Sequence, residues 1–136
     1  MRDALQLRIV TPTRLMLDEE VREVTAPGTL GEFGVLPDHI TFLGSLEIGA
    51  LSYRTDRGAA RLAVRGGFAE VVDNVMTVLA DGAAFPEDID LGATRAELQA
   101  AEAQLHDLSP LDTSYPAIEA SRRWAQARID VATASR

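Results

Sequence analysis

Two histidines in this sequence stand beside carboxylates, in Asp38-His39 and His106-Asp107. An imidazole oriented by a carboxylate is a common general base. Adjacency in sequence does not turn the two groups toward each other, so neither pair is by itself a catalytic dyad. No G-x-S-x-G, H-E-x-x-H or P-loop pattern accompanies them. The absence of cysteine removes a thiolate nucleophile, a thiolate metal site and a disulfide framework, and it fits a reducing compartment. Two histidines without cysteine argue against a transition-metal site. The expectation is a non-catalytic chain with no cofactor and no metal.

What remains is ionic chemistry. The net charge is −8, from 21 acids and 13 basic residues, and every basic residue is arginine. A nucleic-acid binder is expected to show a basic face, and an anionic lipid surface would repel this chain as well. Charge therefore points to a protein partner or a small ligand. The arginines are unevenly placed. Residues 87–107 hold six acids and one arginine, whereas residues 116–136 set Arg122, Arg123, Arg128 and Arg136 against Glu119 and Asp130. Opposite charges of this kind help two helices pair and solvate their outer faces. They also allow a basic helix to leave its neighbour for an acidic partner.

The elements that must carry these groups fall into two regions, 1–86 and 87–136. In the first, Leu5-Gln6-Leu7-Arg8-Ile9 alternates apolar and polar with the period of a half-buried strand. Short β-rich runs follow at Arg14–Leu17, Val21–Thr25, Glu47–Arg54, Arg61–Val64, Phe68–Val72 and Val75–Ala80. Turn signals separate them at Pro27-Gly28, Asp56-Arg57-Gly58, Gly66-Gly67 and Asp73-Asn74. About ten short strands in an antiparallel β-sandwich are expected. Aromatic residues make up only 5% of the chain, so its core must come from Val, Leu, Ile and Ala.

After Phe85-Pro86 the pattern becomes helical. Leu91, Leu98 and Leu105 recur every seven residues, with Ala101 and Leu108 near the same stripe. Asp88 or Asp90 can cap the first turn. Ser109-Pro110 ends this helix, and Pro116 opens a second whose narrow face is Ile118, Ala125, Ile129 and Ala132, with Trp124 to one side. An antiparallel two-helix hairpin is expected, and its Ala-rich seam should make it marginal. No run approaches the roughly 20 apolar residues of a membrane span, and no signal-peptide apolar run follows Met1-Arg2-Asp3-Ala4.

The most specific text is Gly28-Thr29-Leu30-Gly31-Glu32-Phe33-Gly34-Val35-Leu36-Pro37-Asp38-His39. It resembles the epsilon-subunit signature of F-type ATP synthases, a Gly-Glu-x-Gly-(apolar)-x-Pro-x-His run joining two strands of a sandwich. Further matches are Leu5–Val10, Ile48-Gly49-Ala50-Leu51, Arg65-Gly66-Gly67-Phe68-Ala69-Glu70-Val71 and Asn74–Ala80. The ordered set covers most of residues 5–106 and extends more loosely to the last helix. Gly28, Gly31 and Gly34 permit positive φ and close backbone approach, and Pro37 stiffens the exit.

The resemblance implies a non-catalytic central-stalk subunit that docks on the gamma subunit and the c-ring. It implies a peripheral location at the cytoplasmic face of the bacterial inner (plasma) membrane, with no membrane insertion. Glu32, Asp38 and His39 carry over as c-ring contacts on a rigid rim. The hairpin is expected to act as a brake on ATP hydrolysis, with Arg122, Arg123 and Arg128 reaching the catalytic beta subunits of the alpha/beta ring. Some family members hold ATP through an Ile/Leu-Asp-x-x-Arg-Ala motif. Here four residues, not two, separate Asp90 from Arg95 after Ile89, which turns Arg95 by about 200° on an ideal helix. No nucleotide binding is expected. The competing reading is a free-standing β-sandwich binding module outside any rotary motor, for which the hairpin has no role.

Overall fold

The computed structural model describes residues 2–134. Its strands are β1 (Leu5–Val10), β2 (Leu15–Val21), β3 (Glu23–Gly28), β4 (Gly31–Val35), β5 (Phe42–Thr55), β6 (Gly58–Val72), β7 (Val75–Ala80) and β8 (Ala83–Ala84). A 3-10 turn at Pro86–Asp88 leads to α1 (Leu91–His106) and α2 (Tyr115–Thr133). The hydrogen-bonded order is β2-β1-β7-β6-β5-β3-β4, with β8 also on β6. Neighbours are antiparallel except β1 and β7, which run parallel.

The described residues form eight strands where about ten were expected, and β6 merges the expected Arg61–Val64 and Phe68–Val72 runs into one strand. Gly66-Gly67 reads as a turn in the sequence, yet β6 runs straight through it. The pair instead bends the strand. β6 buries the even-numbered Leu62 and Val64 before the glycines and the odd-numbered Ala69 and Val71 after them. Since successive strand side chains point to opposite faces, the core-facing side has changed across the bend. Gly66 and Gly67 have φ of 68° and 117°, and a Cβ on Gly67 would lie 2.0 Å from Leu79 O. Only glycine fits there. β5 makes the same change between Leu46 and Leu51. The two long strands thus pass from one layer to the other and close a single sheet into a sandwich.

Leu5, Leu7 and Ile9 of β1, Val24 and Ala26 of β3, and Met76 and Val78 of β7 fill the interior at 2% exposure or less, so the core is aliphatic as the composition requires. The Asp73-Asn74 turn is a two-residue hairpin with φ of 49° and 65°, both left-handed as a type I′ turn demands. Pro27-Gly28, by contrast, belongs to β3. Pro27 sits where the β3–β5 register shifts, so its missing N–H removes no ladder bond to β5.

The hairpin lies against the outside of this sandwich. α2 packs on β5 and β6, while α1 packs on α2 and hardly touches the sheet. A second, smaller core of Ala63, Ala127 and Val131, with Ile48, Ile89 and Trp124 beside it, joins α2 to the sheet. The expected α2 face is therefore too narrow. Ala125 is buried as expected, but Ala127 and Val131 are buried too, because the helix has neighbours on two sides. On α1 the expected stripe holds, with Ala101 buried and Leu91, Leu98 and Leu105 half-buried, and Thr94 joins it. Asp90 is the N-cap, its carboxylate accepting from Ala93 N at 3.0 Å. Arg136, counted above in the charge of the last helix, lies outside the described residues.

Candidate functional site

The signature stretch is not a loop throughout. Gly31–Val35 is the edge strand β4, paired with β3 as far as Val24↔Val35. Of Gly28, Gly31 and Gly34, only Gly31 adopts positive φ, at 124°. Glu32 is exposed on this edge, and its carboxylate makes no hydrogen bond or ion pair among the described residues. Asp38 and His39 sit in the following turn. Asp38 has φ of 62°, and Asn74 Oδ1 accepts from its backbone N at 2.8 Å. Arg2 N donates to Asp38 Oδ2 at 2.9 Å, and the Arg2 guanidinium lies 3.2 Å from Oδ1. His39 N donates to Leu36 O at 3.1 Å, and its ring meets Phe42 edge-on at 6.0 Å. The turn is fixed on three sides. Glu32 shares no contact with the other two, although Phe33 beside it packs 5.1 Å from Phe42.

The three arginines of α2 each have a different partner. Arg122 Nε donates to Glu119 Oε2 at 2.9 Å within the helix, and this bond holds the Glu119 carboxyl below the usual carboxylate range. Arg123 donates to Glu47 of β5 at 2.7 Å. Arg128 pairs with Glu97 of α1 and lies 5.1 Å from the centre of the Trp124 ring. In this docked arrangement none of the three is free, and two of the pairs tie α2 to other elements.

At the start of α1 the three residues of the nucleotide motif are dispersed. Ile89 packs into the smaller core, Asp90 is spent on the helix cap, and Arg95 is exposed on the helix with no polar partner among the described residues. A cleft of about 330 Å³ does open there, but Asp88, Asp90 and Glu97 line it against Arg128 alone. The charged lining is three carboxylates to one guanidinium.

One surface escapes the sequence reading. Phe68 of β6 and Leu79 of β7 are cross-strand partners, and the row continues through Val10 to Leu15. Phe68 is 56% exposed, Leu79 54% and Leu15 54%, with Leu43 diagonally beside them at 72%. Strand alternation could have found Phe68 and Leu79, which point away from the buried Ala69, Val78 and Ala80 on their strands. Contiguous exposed apolar surface on a sheet face is the kind of surface that protein partners cover. Among the described residues no helix is long and apolar enough to cross a membrane.

Comparison with known proteins agrees with this architecture along the whole chain. Residues 4–86 match the family model "ATP synthase, Delta/Epsilon chain, beta-sandwich domain". The ATP synthase epsilon chains of Geobacter metallireducens and Citrifermentans bemidjiense are 46% and 43% identical to this chain over 132 residues, covering 97% of it and 96% of each relative. A chain in the cryo-EM structure of the Euglena gracilis mitochondrial ATP synthase (OSCP/F1/c-ring, rotational state 1) superposes with a TM-score of 0.80 at 25% identity, over 93% of this chain and 80% of that one. Another, from the central stalk/c-ring structure of the Tetrahymena thermophila mitochondrial ATP synthase, has a TM-score of 0.66 at 18% identity, over 94% and 96%, and speaks to the fold alone. Sandwich, hairpin and signature agree with sequence identity over nearly the full length: the chain belongs to the ATP synthase epsilon-chain family.

Proposed function

We infer that the chain is a non-catalytic central-stalk subunit of an F-type ATP synthase, working with the gamma subunit, the c-ring and the alpha and beta subunits of F1. The observation that carries this is the near-complete, end-to-end agreement with epsilon chains, hairpin included. A free-standing binding module would need neither the hairpin nor the signature. The chain is part of a membrane-bound complex, and we place it on the cytoplasmic face of a bacterial inner membrane.

Within that role, Asp38 and His39 form the c-ring rim together with Glu32 on the neighbouring edge strand. The fixed turn around Asp38 supports this, because a contact that transmits rotation gains from side chains already held in place. The apolar row of Leu15, Phe68 and Leu79 is the face we assign to the gamma subunit. Arg122, Arg123 and Arg128 serve as the brake when α2 leaves the sandwich, exchanging Glu119, Glu47 and Glu97 for acidic segments of the beta subunits. Each helix spans roughly 25–30 Å at 1.5 Å per residue, so an opened hairpin has the reach. The acidic cleft at Asp90 leaves the hairpin without a nucleotide, and residues 1–86 form a folding unit independent of residues 87–136.

The test is a titration of the purified chain into an F1 particle lacking its epsilon subunit, following co-elution and ATPase rate. Binding with a falling rate, lost when residues 109–136 are deleted, is the expected result. Binding without inhibition removes the brake and keeps the stalk role. Failure to bind a cognate particle removes both.

A further inference from the structure

Ala63 of β6 is fully buried beneath Ala127 and Val131 of α2. Arg61 stands two positions back on the same strand, and so on the same face. A cleft of about 430 Å³ opens there, between the end of the sandwich, the 3-10 turn and the last turn of α2. Ala60, Phe85 and Val131 are among its apolar walls, and Tyr53, Arg61 and Glu87 supply its polar groups. Phe85 also packs against the larger core, which anchors that wall. The Arg61 side chain makes no hydrogen bond or ion pair among the described residues, although the residue is half-buried. The other half-buried arginines among them, Arg22, Arg122, Arg123 and Arg128, are all ion-paired. Tyr53 is only 9% exposed. Burial pushes its phenol above the ordinary value, with Glu19 and Glu87 adding to the effect and Arg57 opposing it, so the hydroxyl stays a donor.

We propose that this cleft binds a small apolar monocarboxylate, with the carboxylate on Arg61 and the hydrocarbon body against Phe85 and Val131. A half-buried guanidinium without a partner gains most from a carboxylate, which its planar donors can hold through two parallel hydrogen bonds. The charged lining is one guanidinium to one carboxylate, and Glu87 is exposed. One negative group on the ligand therefore completes the site, whereas a second would find no further cation in it. A cleft of this size with apolar walls and a few polar groups is of the kind that holds small molecules. It shares no residue with the acidic cleft at Asp90. The inference concerns the isolated chain and holds whether or not the stalk role does.

The test is a titration of the full-length chain with octanoate, followed by amide NMR shifts. Saturable shifts are expected at Ala60, Arg61, Phe85 and Val131. Octanamide, of equal length but uncharged, should bind at least about tenfold more weakly. Octanoate should lose a similar factor on Arg61→Gln, the range of one hydrogen bond to a charged group. Arg61→Lys keeps the charge and should recover part of the affinity. If Arg61→Gln does not fold, the comparison of octanoate with octanamide on the wild type decides alone. Absence of saturable shifts at these residues refutes the site. Equal affinity for octanoate and octanamide, or shifts centred on Phe68 and Leu79, reduces the binding to apolar adsorption and refutes it too. Binding that appears only in a chain ending at Ala134 assigns the cleft to the chain's own last residues and overturns the proposal.

Discussion

Gly67 carries more structural consequence than any charged residue of the chain. Its φ of 117° and the 2.0 Å approach of Leu79 O to any Cβ leave no room for a side chain. Gly67→Ala is expected to cost about 3 kcal/mol through strain and the forced shift of β7, read as a lower urea midpoint. Four carboxyls act more gently. Hydrogen bonds from Gln6 to Asp18, Arg22 to Asp56, the Ser114 backbone to Asp112 and Arg122 to Glu119 hold each below its ordinary value of 3.8 for the aspartates and 4.5 for Glu119. Lowered values mean that the folded chain binds fewer protons than the unfolded one. The stability these groups contribute is present above the ordinary values and is lost as pH falls through the folded ones. The urea midpoint is therefore expected to drop below about pH 4, with no loss from these groups above it.

At the scale of elements, the cap of α1 and the boundary before it are open to direct measurement. Asp90→Ala removes the acceptor for Ala93 N and should cost about 1 kcal/mol, seen as faster amide exchange in the first turn of α1. A chain ending at residue 86 should fold cooperatively, because the larger core draws no buried residue from the helices. Loss of cooperative unfolding in that truncation would contradict the proposed boundary. Much of this organisation was legible beforehand. Asp73-Asn74 announced its hairpin because both residues tolerate positive φ, and the leucine stripe of α1 followed from helical period alone. Gly66-Gly67 was misleading, since the same backbone freedom serves a turn and a bend, and only the facing strand β7 decides between them. β4 was hidden because three glycines in twelve residues read as loop, while its pairing to β3 is set by distant contacts. Ala127 and Val131 went unseen because one helix's periodicity cannot reveal that it has two neighbours. In the candidate site, residue types could be read, but partners such as Glu47 and Glu97 lie 76 and 31 positions away.

For the whole molecule, the two proposed contacts should separate by mutation. Phe68→Glu together with Leu79→Glu places charge in the apolar row without touching the core, and should weaken co-elution with F1 by at least about tenfold. The isolated variant should keep its wild-type urea midpoint. Neutralising Arg122, Arg123 and Arg128 to glutamine should instead leave binding intact and relieve inhibition of ATPase; inhibition that persists in the triple variant excludes these arginines as the brake.

The passage of β5 and β6 through both layers also has a mechanical meaning. Their ladder keeps one register from Phe42↔Val71 to Thr55↔Gly58, unpaired only at Glu47 and Gly66 where the strands bend, so the two layers are joined through paired strands. A block of this kind is stiff under torsion and stores little elastic energy. If it sits between a turning ring and a shaft, it passes torque on without lag, and the compliance of the machine must lie elsewhere. The hairpin, held outside that block on small side chains and a few ion pairs, is a part that can yield without loosening the drive.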